Sequence, residues 1–198
     1  MTVPDKPPGL RERKKLRTRA TIRREAFRLI QEQGYQATTV EQISAAADVS
    51  PRTFSRYFPT KEAVLLSDDH IPPIIEAFVA APGDMPVIEA YRHAVETTFA
   101  SLTDEQREEA ITGQRLTYAV PEASGLLYGE YVRLIGLIAD ALTQRPGAPT
   151  DPLERRVLAG AIVGVLIGAS HGTPLPGDPI SDSLQALDRL LKRPAGQT

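Results

Sequence analysis

The stretch from Thr38 to Glu62 constrains this chain more than any other, because its side chains spell out two short helices with a tight bend between them. Thr39, three residues ahead of Gln42, makes a capping box, the reciprocal side-chain pairing that opens a helix. A helix therefore starts at Val40. It presents Ile43, Ala46 and Ala47 on one face and runs to about Ala47, where Asp48 supplies a residue that tolerates the left-handed turn conformation. Ser50 then caps a second helix, with Pro51 at the first position, where a missing N–H costs nothing.

On that second helix, Pro51 to about Phe58, Phe54 and Phe58 are four apart and face inward together. Arg52, Thr53, Ser55, Arg56 and Tyr57 spread over the remaining surface, and these are residue types that grip base edges and phosphate oxygens. Thr39, Ser50 and Pro51, at the two helix starts, complete the candidate DNA-contacting set on this pair of helices. Pro59 stops the helix and Thr60 caps the next. That places the Lys61 ammonium at a helix start, where a phosphate binds readily.

With Gly34-Tyr35 ending a basic first helix, then Thr39-Val40-Glu41-Gln42-Ile43, Ala47-Asp48-Val49-Ser50 and Thr53-Phe54-Ser55-Arg56-Tyr57-Phe58-Pro59-Thr60-Lys61-Glu62, residues 11 to 68 resemble the DNA-binding half of the TetR family of transcriptional regulators. The family often has glycine where Asp48 stands and an aromatic where Ser55 stands. The resemblance implies an all-α fold: an N-terminal three-helix helix-turn-helix DNA-binding domain over 11–68, and a C-terminal helical ligand-binding and dimerisation domain over 69–198. It also implies a homodimer on a roughly palindromic double-stranded DNA operator, with repression as the commoner outcome and a small-molecule effector that releases the DNA. The alternative is a helix-turn-helix protein acting without an effector.

The net charge of −2 speaks against nucleic acid until it is divided along the chain. Residues 1–62 hold 13 Lys and Arg against 7 Asp and Glu, whereas the remainder holds 10 against 18. A basic head joined to an acidic body suits a DNA-binding module whose body phosphate repels. Arg11, Arg13, Lys14, Lys15, Arg17 and Arg19 open the first helix, and Ile22, Ala26, Phe27, Leu29 and Ile30 follow at helical spacing. A basic run alone reads as a solvated helix end. Directly ahead of a helix-turn-helix it reads as phosphate contacts that position without reading sequence. Before it, residues 1–10 carry proline and glycine, lack the apolar core of a signal peptide, and read as a flexible arm. Without cysteine there is no disulfide or thiol metal site, which fits a cytoplasmic protein.

A helix is expected to continue from Lys61 through Ala63 to Leu66, with Pro72-Pro73 as either a break or a restart with proline in the first turn. Beyond, helices are expected at about 85–102, 103–119, 121–142, 152–170 and 180–192, parted by Ala81-Pro82-Gly83, Arg145-Pro146-Gly147 and Gly172-Thr173-Pro174. The run from Val157 to Ala169 has no charge and carries Gly160, Gly164 and Gly168 four apart. It is too short for a membrane span of about 20 residues, so it reads as a buried helix. With Leu184, Leu187 and Leu191 of the last helix it resembles the pairing helices of TetR-family dimers; the competing reading is the centre of the body's own core.

No chemistry-bearing constellation emerges. His70, His93 and His171 have no metal-ligand spacing, and neither a phosphate loop nor a nucleophile elbow is present. The chain therefore reads as no enzyme, with no cofactor and no metal. Tyr91, His93, Arg115, Tyr118 and Tyr128, polar-tipped residues on body helices, are the candidates to line an effector pocket between helices.

Overall fold

The computed structural model describes residues 9–66, 70–170 and 178–192, and all the regular structure in them is helical. They fall into two compact units. The first takes the residues up to 66 together with Leu116–Ala123, and the second takes 70–115 and the residues from Ser124 onward. Most of the expected arm, residues 1–8, lies outside the described residues; Leu10 already belongs to the first helix.

In the first unit α1 (Leu10–Gln33) ends where Gly34 turns to φ +85° and returns its N–H to Ile30. That conformation is open to glycine at little cost. α2 (Val40–Ala46) and α3 (Pro51–Tyr57) follow, and Asp48 between them takes φ +52°, the left-handed geometry read from its identity. Ile22, Ala26, Phe27 and Ile30 of α1 line one stripe and close on Ile43, Ala47, Phe54 and Phe58. The Phe54 and Phe58 rings stand 5.8 Å apart. Burying two phenylalanines contributes about 2–3 kcal/mol each, enough to fix which side of α3 faces out.

The helix expected through Leu66 is only a 3₁₀ turn, Glu62–Val64, with Thr60 Oγ1 accepting from the Ala63 N–H. Val64 and Leu65 are drawn into the core at once, which ends the turn early. Also in this core are Val120 and Ala123, and Thr117 donates its hydroxyl to the Leu65 carbonyl at 2.8 Å.

The second unit holds α4 (Ile71–Ala80), α5 (Val87–Ala100), most of α6 (Asp104–Ala119), α8 (Leu127–Leu142), α9 (Pro152–Ser170) and α10 (Asp178–Leu191). Of the two options at Pro72-Pro73 the chain takes the restart, with proline in the first turn of α4. The single helix expected over 121–142 is two: α7 (Pro121–Ser124) stops, and Gly125, a poor helix former, separates it from α8. α4, α5 and α10 pack in series, and α8 and α9 lie along each other, around Phe78, Tyr91, Phe99, Ile138, Leu142, Ile162 and Leu184. No helix among the described residues is long and apolar enough to cross a membrane.

Gly160, Gly164 and Gly168 of α9 face away from this core: a Cβ built on any of them meets nothing within 4 Å. Leu153 and Val157 continue the same outward stripe and are exposed. The dimerisation set is split accordingly. Leu184 is fully buried and Leu187 packs against the same core, so these two serve their own chain, while Leu191 and its neighbour Leu190 remain exposed. An amphipathic helix declares an apolar face; its spacing does not say whose surface that face meets.

Candidate nucleic-acid interface

Local side-chain bonds build the α2–α3 pair. The Thr39 hydroxyl accepts from the Gln42 N–H at 3.2 Å, and Gln42 Oε1 accepts the Thr39 N–H at 2.9 Å. Ser50 Oγ accepts from the Thr53 N–H at 3.0 Å and lies 3.0 Å from the Thr53 hydroxyl. These two caps together stabilise the pair by about 1–2 kcal/mol and set the angle at which α3 leaves the bend. Ser55 donates to the Pro51 carbonyl at 3.1 Å, which leaves its oxygen lone pairs facing out.

With Phe54 and Phe58 inward, Arg52, Ser55 and Arg56 stand exposed on one stripe at i, i+3 and i+4, with Pro51 beside them. Thr53 and Tyr57 are half-buried on the flank, and the Arg56 guanidinium lies 5.2 Å from the Tyr57 ring centre. Arg19, read as one more cation of the basic run, has a different task. Its Nη1 donates to the Tyr57 carbonyl at 3.3 Å and its guanidinium covers the Phe58 ring at 4.6 Å, which holds the C-terminal end of α3 to α1.

Lys61 requires a correction. Its ammonium donates to the carbonyls of Tyr35 and Thr38, both at 2.8 Å, and sits 3.8 Å over the Tyr35 ring. The next element is a three-residue 3₁₀ turn rather than the start of a helix, so the phosphate seat expected there is not formed. Two of the three ammonium protons clamp the α1–α2 loop. Lys61→Ala is therefore expected to loosen that loop; equal denaturant midpoints for variant and parent would remove the clamp.

Beside it, the Tyr35 hydroxyl donates to Glu62. That bond, with Lys61 adjacent, holds the Glu62 carboxyl below the usual carboxylate range, while burial and Glu62 push the Tyr35 phenol up. A depressed carboxyl contributes stability above its unfolded value and loses it as pH falls through its folded one; a raised phenol loses its share only in strong alkali. Tyr35→Phe is thus expected to cost about 1 kcal/mol at neutral pH for a half-exposed bond to a charged group. Urea titrations should show the difference between variant and parent vanish as pH falls below the usual carboxylate range and Glu62 protonates.

The five effector candidates have different surroundings. Tyr91 is buried, edge-on to Phe78 with ring centres 5.5 Å apart; His93 and Arg115 are exposed; Tyr118 is half-buried in a stretch belonging to the first unit; Tyr128 is 78% exposed. Thr98, one of the few buried polar residues of the second unit, shares the Tyr91 face seven residues on and carried no signal in the sequence. His171 lies outside the described residues.

Residues 22–67 match the family model for bacterial regulatory proteins of the tetR family, and residues 85–195 match the one for the MftR C-terminal domain. The HTH-type transcriptional regulator TcmR of Streptomyces glaucescens is 38% identical over 154 residues, which cover 73% of this chain and 67% of that protein. Among solved structures, Thermus thermophilus FadR, a repressor in complex with lauroyl-CoA, is 27% identical with a TM-score of 0.50, over 91% of this chain and 100% of that one. A TetR-family regulator from Streptomyces coelicolor A3 reaches a TM-score of 0.54 over 96% and 99% at 18% identity, which speaks for the fold alone.

Proposed function

This chain belongs to the TetR family of bacterial transcriptional regulators, and from that premise we propose that it acts as a homodimer on a roughly palindromic operator, represses from it, and is released by a small molecule. The reading rests above all on the outward stripe of Arg52, Ser55 and Arg56, on a helix whose opposite side is locked by two buried phenylalanines. A helix presented so fits the major groove of B-DNA, with arginine bidentate to guanine and the hydroxyls to either partner. Residues 11–68 serve as the reading head and residues 69–198 as the effector and pairing body. The outward glycine stripe of α9 supports pairing by close backbone approach, with Leu190 and Leu191 of α10 at hand. Two heads then enter successive major grooves about 34 Å apart.

A protection footprint over the DNA upstream of the protein's own gene tests this: two symmetric half-sites about one helical turn apart are expected, and an unprotected region overturns it. Arg52→Ala is expected to cost about 1–3 kcal/mol at one base position of each half-site and to relax the preference there, read by competition between single-base variants of the protected duplex.

A second reading is DNA binding without small-molecule control, to which the burial of Tyr91 in the core and the exposure of His93, Arg115 and Tyr128 lend weight. Titrating acyl-CoA esters, lauroyl-CoA first because the Thermus relative takes it, into the protein–duplex complex separates the two. An effector acts only through its differential affinity for the DNA-bound and free arrangements, so release at saturating ester supports control of the proposed kind.

A further inference from the structure

Three aliphatic hydroxyls stand on α3 and its cap, those of Ser50, Thr53 and Ser55, and the structure gives them different tasks. Ser50 Oγ accepts the Thr53 N–H at 3.0 Å and lies 3.0 Å from Thr53 Oγ1, where either hydroxyl can be the donor. Whichever of the two donates, the other still has a proton to give. Ser55 is the opposite case. Its Oγ lies 3.1 Å from the Pro51 carbonyl. A carbonyl oxygen carries no proton, so the serine's own proton makes this bond, and only lone pairs are left to turn outward. Ser55 is exposed on the stripe it shares with Arg52 and Arg56, and the buried Phe54 next to it keeps the helix from rolling to another face.

A serine hydroxyl in general donates or accepts, and so distinguishes bases weakly. We infer that Ser55 reads bases as an acceptor alone, and that each operator half-site carries an amino base, adenine or cytosine, on the strand Ser55 faces. The inference rests on the proposed DNA-binding function and deepens it by naming the class of base that α3 selects at one position. In the major groove adenine offers its N6 amine and cytosine its N4 amine, whereas guanine offers O6 and thymine O4, both acceptors. Against either of the latter, lone pair faces lone pair unless the proton leaves the Pro51 carbonyl and that bond is lost. A·T and G·C pairs each own one such amine. What Ser55 distinguishes is therefore which strand carries the amine, not which pair is present. Arg52 is its complement, since a guanidinium only donates. It precedes Ser55 by three residues, about 4.5 Å along the helix axis and about 60° around it, close to one base step of about 3.4 Å. A guanine for Arg52 is thus expected in the same base pair as the amino base or in the next.

The test uses the full chain and a duplex that it selects from a random-sequence pool. Each base pair of one half-site is changed to the other three, and affinities are read by competition in fluorescence anisotropy. One position should accept adenine and cytosine alike and bind about 2–10-fold more weakly with guanine or thymine, the range for one neutral hydrogen bond. Ser55→Ala keeps helix propensity and removes neither cap, so an unaltered helical spectrum is expected. This variant should level that position and no other, whereas Arg52→Ala should level the guanine position and keep the amino preference. Purine in place of adenine, lacking only the N6 amine, should weaken the parent by the same factor and leave Ser55→Ala unmoved. The inference is overturned if Ser55→Ala levels no position, or levels one at which the parent prefers guanine or thymine. If the parent selects no duplex from the pool, the DNA-reading function itself falls; if Arg52→Ala loses base preference while Ser55→Ala loses none, only the acceptor role of Ser55 falls.

Discussion

Gly164→Glu is expected to leave the chain folded and unable to pair. Gly164 sits on the outward side of α9 between Val157 and Gly168, and a Cβ there meets nothing within 4 Å in its own chain. Glutamate therefore creates no clash inside the protomer, and replacing a mid-helix glycine raises helix propensity by up to about 1 kcal/mol. In a symmetric dimer the same patch meets itself, so the carboxylate enters the interface twice. A charge buried without a partner costs several kcal/mol, about 3–5 by the measure of broken buried ion pairs, and two of them exceed what close glycine packing returns. Sedimentation velocity should find monomers with an unaltered helical spectrum. A monomer holds one half-site, so operator affinity should fall steeply while weak binding to random duplex persists. Intact dimers would move the pairing surface off α9.

The α2–α3 pair was legible because its instructions are local. Thr39 with Gln42, Ser50 with Pro51, and Asp48 in the bend each act on backbone within four residues, and the helix limits result from them. The charge division and the exposure of Arg52, Ser55 and Arg56 belong to the same class, since inward Phe54 and Phe58 dictate what faces out. Failures began where partners are distant. Lys61 has the residue type of a phosphate contact, and only the fold brings the Tyr35 and Thr38 carbonyls, more than twenty residues back, under its ammonium. Val120 and Ala123 join the first unit across more than fifty residues of intervening chain, and nothing in their spacing announces it. The effector candidates were ambiguous for a related reason: a polar tip on an aromatic ring suits a core, a surface or a pocket equally, and Tyr91 is buried whereas Tyr128 is exposed.

The same limit hid the residue whose loss should cost the second unit most. Arg145 stands in an Arg-Pro-Gly joint that reads as a plain connection between helices, yet it is buried. Its guanidinium donates to the carbonyl of Ala81, to that of Pro82 at 2.8 Å and to that of Met85 at 3.0 Å, and lies 5.7 Å from the Phe78 ring centre. The α4–α5 joint thus has its carbonyls satisfied from the α8–α9 joint, and Gly83 lets the two approach, since a Cβ there would stand 3.3 Å from Pro146 Cγ. Arg145→Ala removes the donors and leaves the Ala81 and Met85 carbonyls without this partner, while the Pro82 carbonyl keeps the Met85 N–H. The expected loss is about 3–5 kcal/mol, the range for breaking a buried charged network. For a chain of this size that lowers the unfolding midpoint by about 10 °C or more. Arg145→Lys, with three donors on a shorter reach, should recover part of it, whereas Arg145→Met, which keeps the stem and fills the volume, should not. If methionine restores the midpoint, packing over Phe78 rather than the carbonyl clamp holds the two joints together.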